Sequence, residues 1–138
     1  MTVAILLPLI RAAPTERPTV LLRCPRAVVD VVDETYVRAA PQVVREALDA
    51  PGLLEGLWPG LEREVVQDRG AKGVRWRCTG QVEGRMEIWL EPSGGGTIVH
   101  HFVHGTGPRA PQRWAREHRR RWKQGLNEIK DRLEGRSR

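Results

Sequence analysis

The sequence predicts an α+β domain: an antiparallel sheet with one apolar face, two short helices after the first strand, and one long C-terminal helix covering that face. Three observations carry this. Gly73–Thr79 and Arg85–Glu91 alternate strictly between apolar and polar residues, the period of a strand with one wet face. Trp114, His118, Trp122, Leu126, Ile129 and Leu133 recur at spacings of four, four, four, three and four, a single stripe down one helix. At 138 residues the chain is the size of one domain, so both patterns belong to the same core.

The elements follow in order. Val28–Arg38 is rich in β-branched residues and predicts a strand, closed by Ala39-Ala40-Pro41. Pro41 suits a first helical turn, and Pro41–Ala50 carries Val43, Val44, Ala47 and Leu48 at helical spacing until Pro51-Gly52 breaks it. Leu53–Trp58 adds one short helical turn before Pro59-Gly60. Four strands follow: Leu61–Gln67, Gly73–Thr79, Arg85–Glu91 and Thr97–His104, with Pro92–Gly96 as a loop between the last two. Gly105–Ala110 reads as a linker, and Pro111–Glu134 as the long helix, with Pro111 near its start and Gly135 just past its end.

Residues Met1–Ala27 do not share this order. The apolar run Val3–Ile10 is interrupted by Pro8, and Pro14, Pro18 and Pro25 follow. A secretory signal carries a basic residue before its apolar run, whereas here Arg11 comes after it. A loosely attached extension over 1–27, a compact domain over 28–138 and a cytoplasmic location are expected.

Apolar residues are 40% and charged residues 29% of the chain, which excludes a wholly disordered chain or a collagen-like repeat. No apolar run reaches the ~18 residues of a membrane helix. Cys24 and Cys78 lie far apart, which supports neither a disulfide scaffold nor a zinc ribbon. The net charge of +6 is unevenly placed: from Arg109 to Arg138 there are eleven Lys/Arg against four Asp/Glu. This tail can be an electrostatic footprint for nucleic acid. It can equally be a solvated helix face whose arginine stems cover apolar surface. With no reader motif beside it, nucleic acid is the less favoured partner.

The order of segments resembles the helix-grip fold of the START-like superfamily, in particular the polyketide cyclase/dehydrase-type (SRPBCC) proteins. The residues that carry the resemblance are the first strand running into Ala39-Ala40-Pro41-Gln42-Val43-Val44, then Leu57-Trp58-Pro59-Gly60 and Asp68-Arg69-Gly70 through Gly73-Val74-Arg75-Trp76. Met86-Glu87-Ile88-Trp89-Leu90-Glu91-Pro92, Val99-His100-His101-Phe102 and Lys130-Asp131-Arg132-Leu133-Glu134 complete it, from about Val28 to Glu134. The resemblance implies a curved sheet wrapped around the C-terminal helix with an apolar cavity between them. It also implies a ligand such as a lipid, a polyketide or another hydrophobic small molecule, with cyclisation or dehydration in some members. Five strands stand where the family commonly has six or seven, so a small or partly open cavity is expected.

With the apolar side of the sheet concave, Val74, Trp76, Cys78, Met86, Ile88 and Leu90 face the cavity. On the last strand Thr97, Val99, His101 and Val103 are taken as inward, because the alternative would place His100 and His104 inside. The helix adds Trp114, His118 and Trp122, and Trp58 is expected to close the mouth. Five tryptophans against one Phe and one Tyr suit a pocket for a ring-bearing ligand, though they equally suit a core needing no ligand. The expected ligand-binding set is therefore Trp58, Trp76, Cys78, Met86, Ile88, Leu90, Val99, Val103, Trp114, His118 and Trp122.

His100 and His101 are neighbours on a strand and point to opposite faces, so they cannot chelate one ion. His101 and His118 can meet across the cavity, but no acidic residue completes a zinc site, and neither metal nor cofactor is expected. An imidazole titrates near neutrality, which makes His101 the candidate general acid/base, against the plainer role of a hydrogen-bonded core residue. Nothing resembles a nucleophile elbow or a phosphate loop.

Three readings stand at this point: a binder of a hydrophobic, aromatic or polyketide/lipid-like molecule; a cyclase- or dehydratase-like enzyme using His101; and a basic interaction module using Arg113, Arg116, Arg119, Arg120, Arg121 and Lys123. The aperiodic, proline-broken N-terminus yields a direct test. Deleting Met1–Arg23 leaves the thermal unfolding midpoint almost unchanged. Loss of a cooperative transition in the deletion shows instead that the segment completes the fold.

Overall fold

The computed structural model describes residues 27–136. The extension expected over 1–27 falls, apart from Ala27, outside them. Ala27 itself begins β1 (Ala27–Val37), where alternate residues Val29, Val31 and Asp33 are buried while Val28, Asp30 and Val32 are exposed. Then come α1 (Pro41–Leu48), α2 (Leu53–Leu57) and β2 (Leu61–Asp68). After a 3-10 turn at Gly70–Lys72, β3 (Gly73–Gly80), β4 (Glu83–Ser93) and β5 (Gly96–Gly107) lead to α3 (Pro111–Leu133). Among the described residues these strands form one antiparallel sheet in the order β1-β5-β4-β3-β2.

Two of the expected breaks are strand instead. Pro92 was expected in a loop but lies in β4, opposite Thr97. β4 pairs with β3 only as far as Trp89, so the missing Pro92 N–H faces an unpaired side of the ladder. The loop shrinks to Gly94-Gly95, both at positive φ (54° and 79°), which suits a two-residue hairpin turn. The expected linker after His104 is also strand as far as Gly107. Gly105 pairs with Gly84 on one side and Val29 on the other. A Cβ on Gly105 would lie 2.3 Å from the Glu83 carbonyl oxygen, so glycine here marks close strand approach and not a break.

Register builds the inner face in rows. Val31, Val103, Met86, Trp76 and Val65 lie across all five strands, as do Val29, Gly105, Gly84, Cys78 and Arg63. The helix covers this face unevenly. α3 packs on β1 at one end of the strand order, burying His118, Trp122, Gly125, Leu126 and Ile129. Trp114 and Leu133, expected in the same stripe, are only partly buried at its two ends.

The basic side chains of α3 have a structural use at that edge. Lys123 Nζ donates to the Glu34 carbonyl at 3.0 Å and to Thr35 Oγ1 at 2.6 Å, and Arg119 Nη2 reaches the Val32 carbonyl at 3.4 Å. β1 is an edge strand, and these donors occupy carbonyls that would otherwise template pairing with another chain. Asp33, buried inside the same contact, accepts from Trp122 Nε1 at 3.1 Å and pairs with Lys123 Nζ at 3.1 Å.

Leu126 is fully buried between sheet and helix, so Leu126→Ala is expected to cost on the order of 2–5 kcal/mol. Urea denaturation measures it. A variant as stable as the parent shows that the α3 contact does not hold the core.

Candidate functional site

The side chains expected to line a cavity converge on one place. Cys78, Met86, Ile88, Leu90, Val99 and Val103 all face inward and are buried. Burial pushes the Cys78 thiol pKa up, which keeps it protonated and unreactive. The facing chosen for the last strand is the observed one. His101 is fully buried, while His100 lies on the outer face beneath Trp89, ring centroids 4.3 Å apart, with Nε2 2.8 Å from Glu91 Oε2.

Trp58 departs from expectation. It does not close a mouth but sits at the centre, 1% exposed, where the chain leaves α2. Its ring stacks on His101 (5.0 Å, 11°) and Trp122 (5.7 Å, 29°) and meets Trp76 edge-on (5.6 Å, 78°). Trp114 stacks on His118 at 4.7 Å from the half-exposed end of the helix, its Nε1 donating to Gln81 Oε1 at 3.0 Å. The space expected as a cavity between sheet and helix is thus occupied by Trp58, His101, His118 and Trp122.

Within this cluster His101 and His118 meet at 2.8 Å, Nε2 to Nε2. The Glu87 carbonyl, 3.1 Å from His101 Nδ1, can only accept, so neutral His101 carries its hydrogen on Nδ1. His101 Nε2 is then the acceptor and His118 Nε2–H the donor. Desolvation pushes the His101 pKa down to about 4, opposed by the hydrogen bond to Glu87. Desolvation, then the charges of His101 and Arg121, push His118 down to about 3. Both imidazoles are neutral and both His101 nitrogens are engaged.

Open space lies at the other end of the same inner face, where β2 extends past the cover of α3. A groove of about 220 Å³ runs between the α1–α2 turn and β2–β3, with Leu48, Leu54, Val65, Val74 and Trp76 as apolar lining and Arg45 and Arg63 among its charged residues. Of the expected site residues, Trp76 is the one this groove reaches. Arg45 Nη1 donates to Asp68 Oδ1 at 2.9 Å and to the Gly70 and Gly73 carbonyls, and its Nε donates to Asp49. Arg63 Nη2 donates to Glu55 Oε1 at 2.8 Å, and its guanidinium carbon lies 5.2 Å from the Trp58 ring and 5.5 Å from that of Trp76. Its own backbone N–H and then Arg63 hold the Glu55 carboxyl below the usual range. Sequence reasoning missed Arg63, although period two sets it with Leu61 and Val65 on the inward side of β2. Among the described residues no group of three or more His, Cys, Asp or Glu side chains is placed to hold a metal ion, and no helix is long and apolar enough to cross a membrane.

The neutral histidine pair makes stability depend on pH. An unfolded histidine protonates near 6.5, but these two stay unprotonated in the fold to about 4 and about 3. Their contribution is complete above about pH 6.5 and falls as pH drops from there toward the folded values, by up to about 1.4 kcal/mol per pH unit for each. The lowered carboxylates add their own loss only below their ordinary value of 4.5. Denaturant unfolding between pH 7.5 and 5.0 therefore shows falling stability. A flat profile over that window means that the imidazoles charge freely.

No protein-family model matches the chain, and no curated protein matches its sequence. Solved structures do. The Aha1 dimer structure from Colwellia psychrerythraea matches with a TM-score of 0.60 at 18% identity, over 80% of this chain and 99% of that one. Protein MLL2253 from Mesorhizobium loti gives 0.57 at 18% identity, over 79% and 98%. Ara h 8.0201 gives 0.50 at 14% identity, over 79% and 99%. The five-stranded antiparallel sheet closed by a long C-terminal helix is the helix-grip α+β fold, and the likeness extends to the fold alone.

Proposed function

We propose that this chain binds a hydrophobic small molecule, with a flat ring of the ligand laid against Trp76. The observation that carries this is the groove between α1–α2 and β2–β3. It is concave, its apolar residues come from four elements, and it is bordered by charge that leaves one apolar patch for a ring. The helix-grip fold, which the sequence resemblance associates with binding of lipids, polyketides or other hydrophobic small molecules, supports the same reading. The aromatic centre behind the groove acts as a rigid wall.

The enzymatic reading, with His101 as general acid/base, stands behind the binding reading. His101 is fully buried and bonded at both nitrogens, an arrangement that suits packing more than proton transfer to a ligand. The basic-module reading is divided by the fold. Arg119 and Lys123 are engaged with β1, and a shallow surface hollow gathers Arg113, Arg116 and Arg120 with Glu117.

Stacking on an indole changes its emission, so titration with fatty acids, phenolic polyketides and aromatic acids is expected to change tryptophan fluorescence saturably for at least one class. Trp76→Leu removes most of the change, and Trp89→Leu, on the outer face, leaves it. Equal effects of the two variants, or no saturable binding across the panel, overturn the reading. Loss of turnover with intact binding in His101→Gln brings the enzymatic reading forward.

A further inference from the structure

The geometry points to an anionic end on the ligand: the groove takes a flat aromatic carboxylate, its ring on Trp76 and its carboxylate on Arg63. This rests on the binding reading above and adds the charge of the ligand to it. Two cations border the groove, and they differ in what they have left to donate. Arg45 is committed to two carboxylates and two carbonyls. Arg63 holds a single carboxylate in the same groove, that of Glu55, whose side chain is 66% exposed. Arg63 Nε is sealed from solvent and meets no acceptor among the described residues.

Beneath the guanidinium lies a second donor in the same condition. Trp58 is 1% exposed and its Nε1 also meets no acceptor among the described residues. Two buried donors on touching side chains, one of them cationic, match one kind of ligand group. A carboxylate can accept from the planar guanidinium fork through both oxygens, and Glu55 already meets it through one, Oε1 to Nη2 at 2.8 Å. Both orphan atoms are sealed in the wall, and Trp58 does not itself line the groove, so the ligand reaches them as Arg63 turns outward from the indoles. An uncharged apolar ligand would fill the groove and leave both donors unmatched.

The test compares 2-naphthoate with 2-naphthamide, which share the ring and differ in charge, by calorimetry and by the indole N–H resonances of the protein. The expected result is naphthoate binding at least tenfold more tightly than the amide. Arg63→Gln erases that preference while the amide still binds. Glu55→Gln, which frees the guanidinium, strengthens naphthoate about threefold and leaves the amide unchanged. The Trp58 indole N–H resonance moves downfield with naphthoate, and that of Trp122, already bonded to Asp33, stays. Equal affinity of the two probes in the parent protein, or a preference that survives Arg63→Gln, overturns the anionic assignment and leaves apolar binding standing. Loss of the preference in Arg120→Gln, on the outer side of α3, overturns it too, because charge attraction is then unspecific. Binding of neither probe overturns this assignment, and only a blank across the wider ligand panel removes the binding reading as well.

Discussion

A neutral imidazole pair ties the middle of the sheet to the long helix, and its neutrality dictates what can surround it. His101 on β5 and His118 on α3 share one hydrogen bond of 2.8 Å, and the Glu87 carbonyl fixes its direction. Charging either ring would place a cation in a dry interior without a carboxylate to meet it. The pair is stable only behind walls that exclude water. Trp58, Trp114 and Trp122 are those walls, each within ring-stacking distance of one or both imidazoles. Polar specificity at the centre thus requires aromatic bulk, and that bulk fills the space expected as a cavity between sheet and helix.

The position of α3 follows from the same contact. With Trp122 bonded to Asp33 and Lys123 to the β1 edge, the helix is held at one end of a five-stranded sheet. One helix cannot cover five strands at about 4.8 Å spacing, so the far end needs other cover. Two short helices and one arginine supply it. Val65 is on the inward row yet 57% exposed, which shows how little apolar material shields β2. The groove is the remainder of that incomplete cover. Its charged border is what a small domain uses where no further apolar element is at hand.

Much of this was legible because it depends on period alone. Alternation in Gly73–Thr79 and Arg85–Glu91 and the spacing along α3 are local, and each survived the fold unchanged in facing. Even the meeting of His101 with His118 followed from one inward strand position and one position on the helix stripe. What failed depended on neighbours. Pro92 and Gly105 read as breaks because their tolerance comes from an unpaired ladder edge and from an adjacent glycine. Trp58 read as a lid because its place depends on how α2 returns the chain beneath the sheet. Arg63 was passed over because arginine reads as solvent-facing. Period two beside Leu61 and Val65 offered the inward side, its register beside Cys78 shows it turned there, and a strand bulge between Val65 and Gln67 ends that alternation.

An arginine in an inward row also says why the groove and the core cannot be treated separately. Its stem and guanidinium are only 16% exposed, so it acts as part of the wall over Trp58 and Trp76, and a cation laid on two indoles is held by their ring faces. Beside the two flat rigid rings that it covers, the same group is flexible and charged. Arg63 and Trp76 line the groove together. Glu55, largely in solvent, holds it by a single ion pair, and exposed pairs of that kind contribute about 0–1 kcal/mol. That is small beside the apolar contacts around it. The part of the wall most easily moved is therefore the part that carries charge.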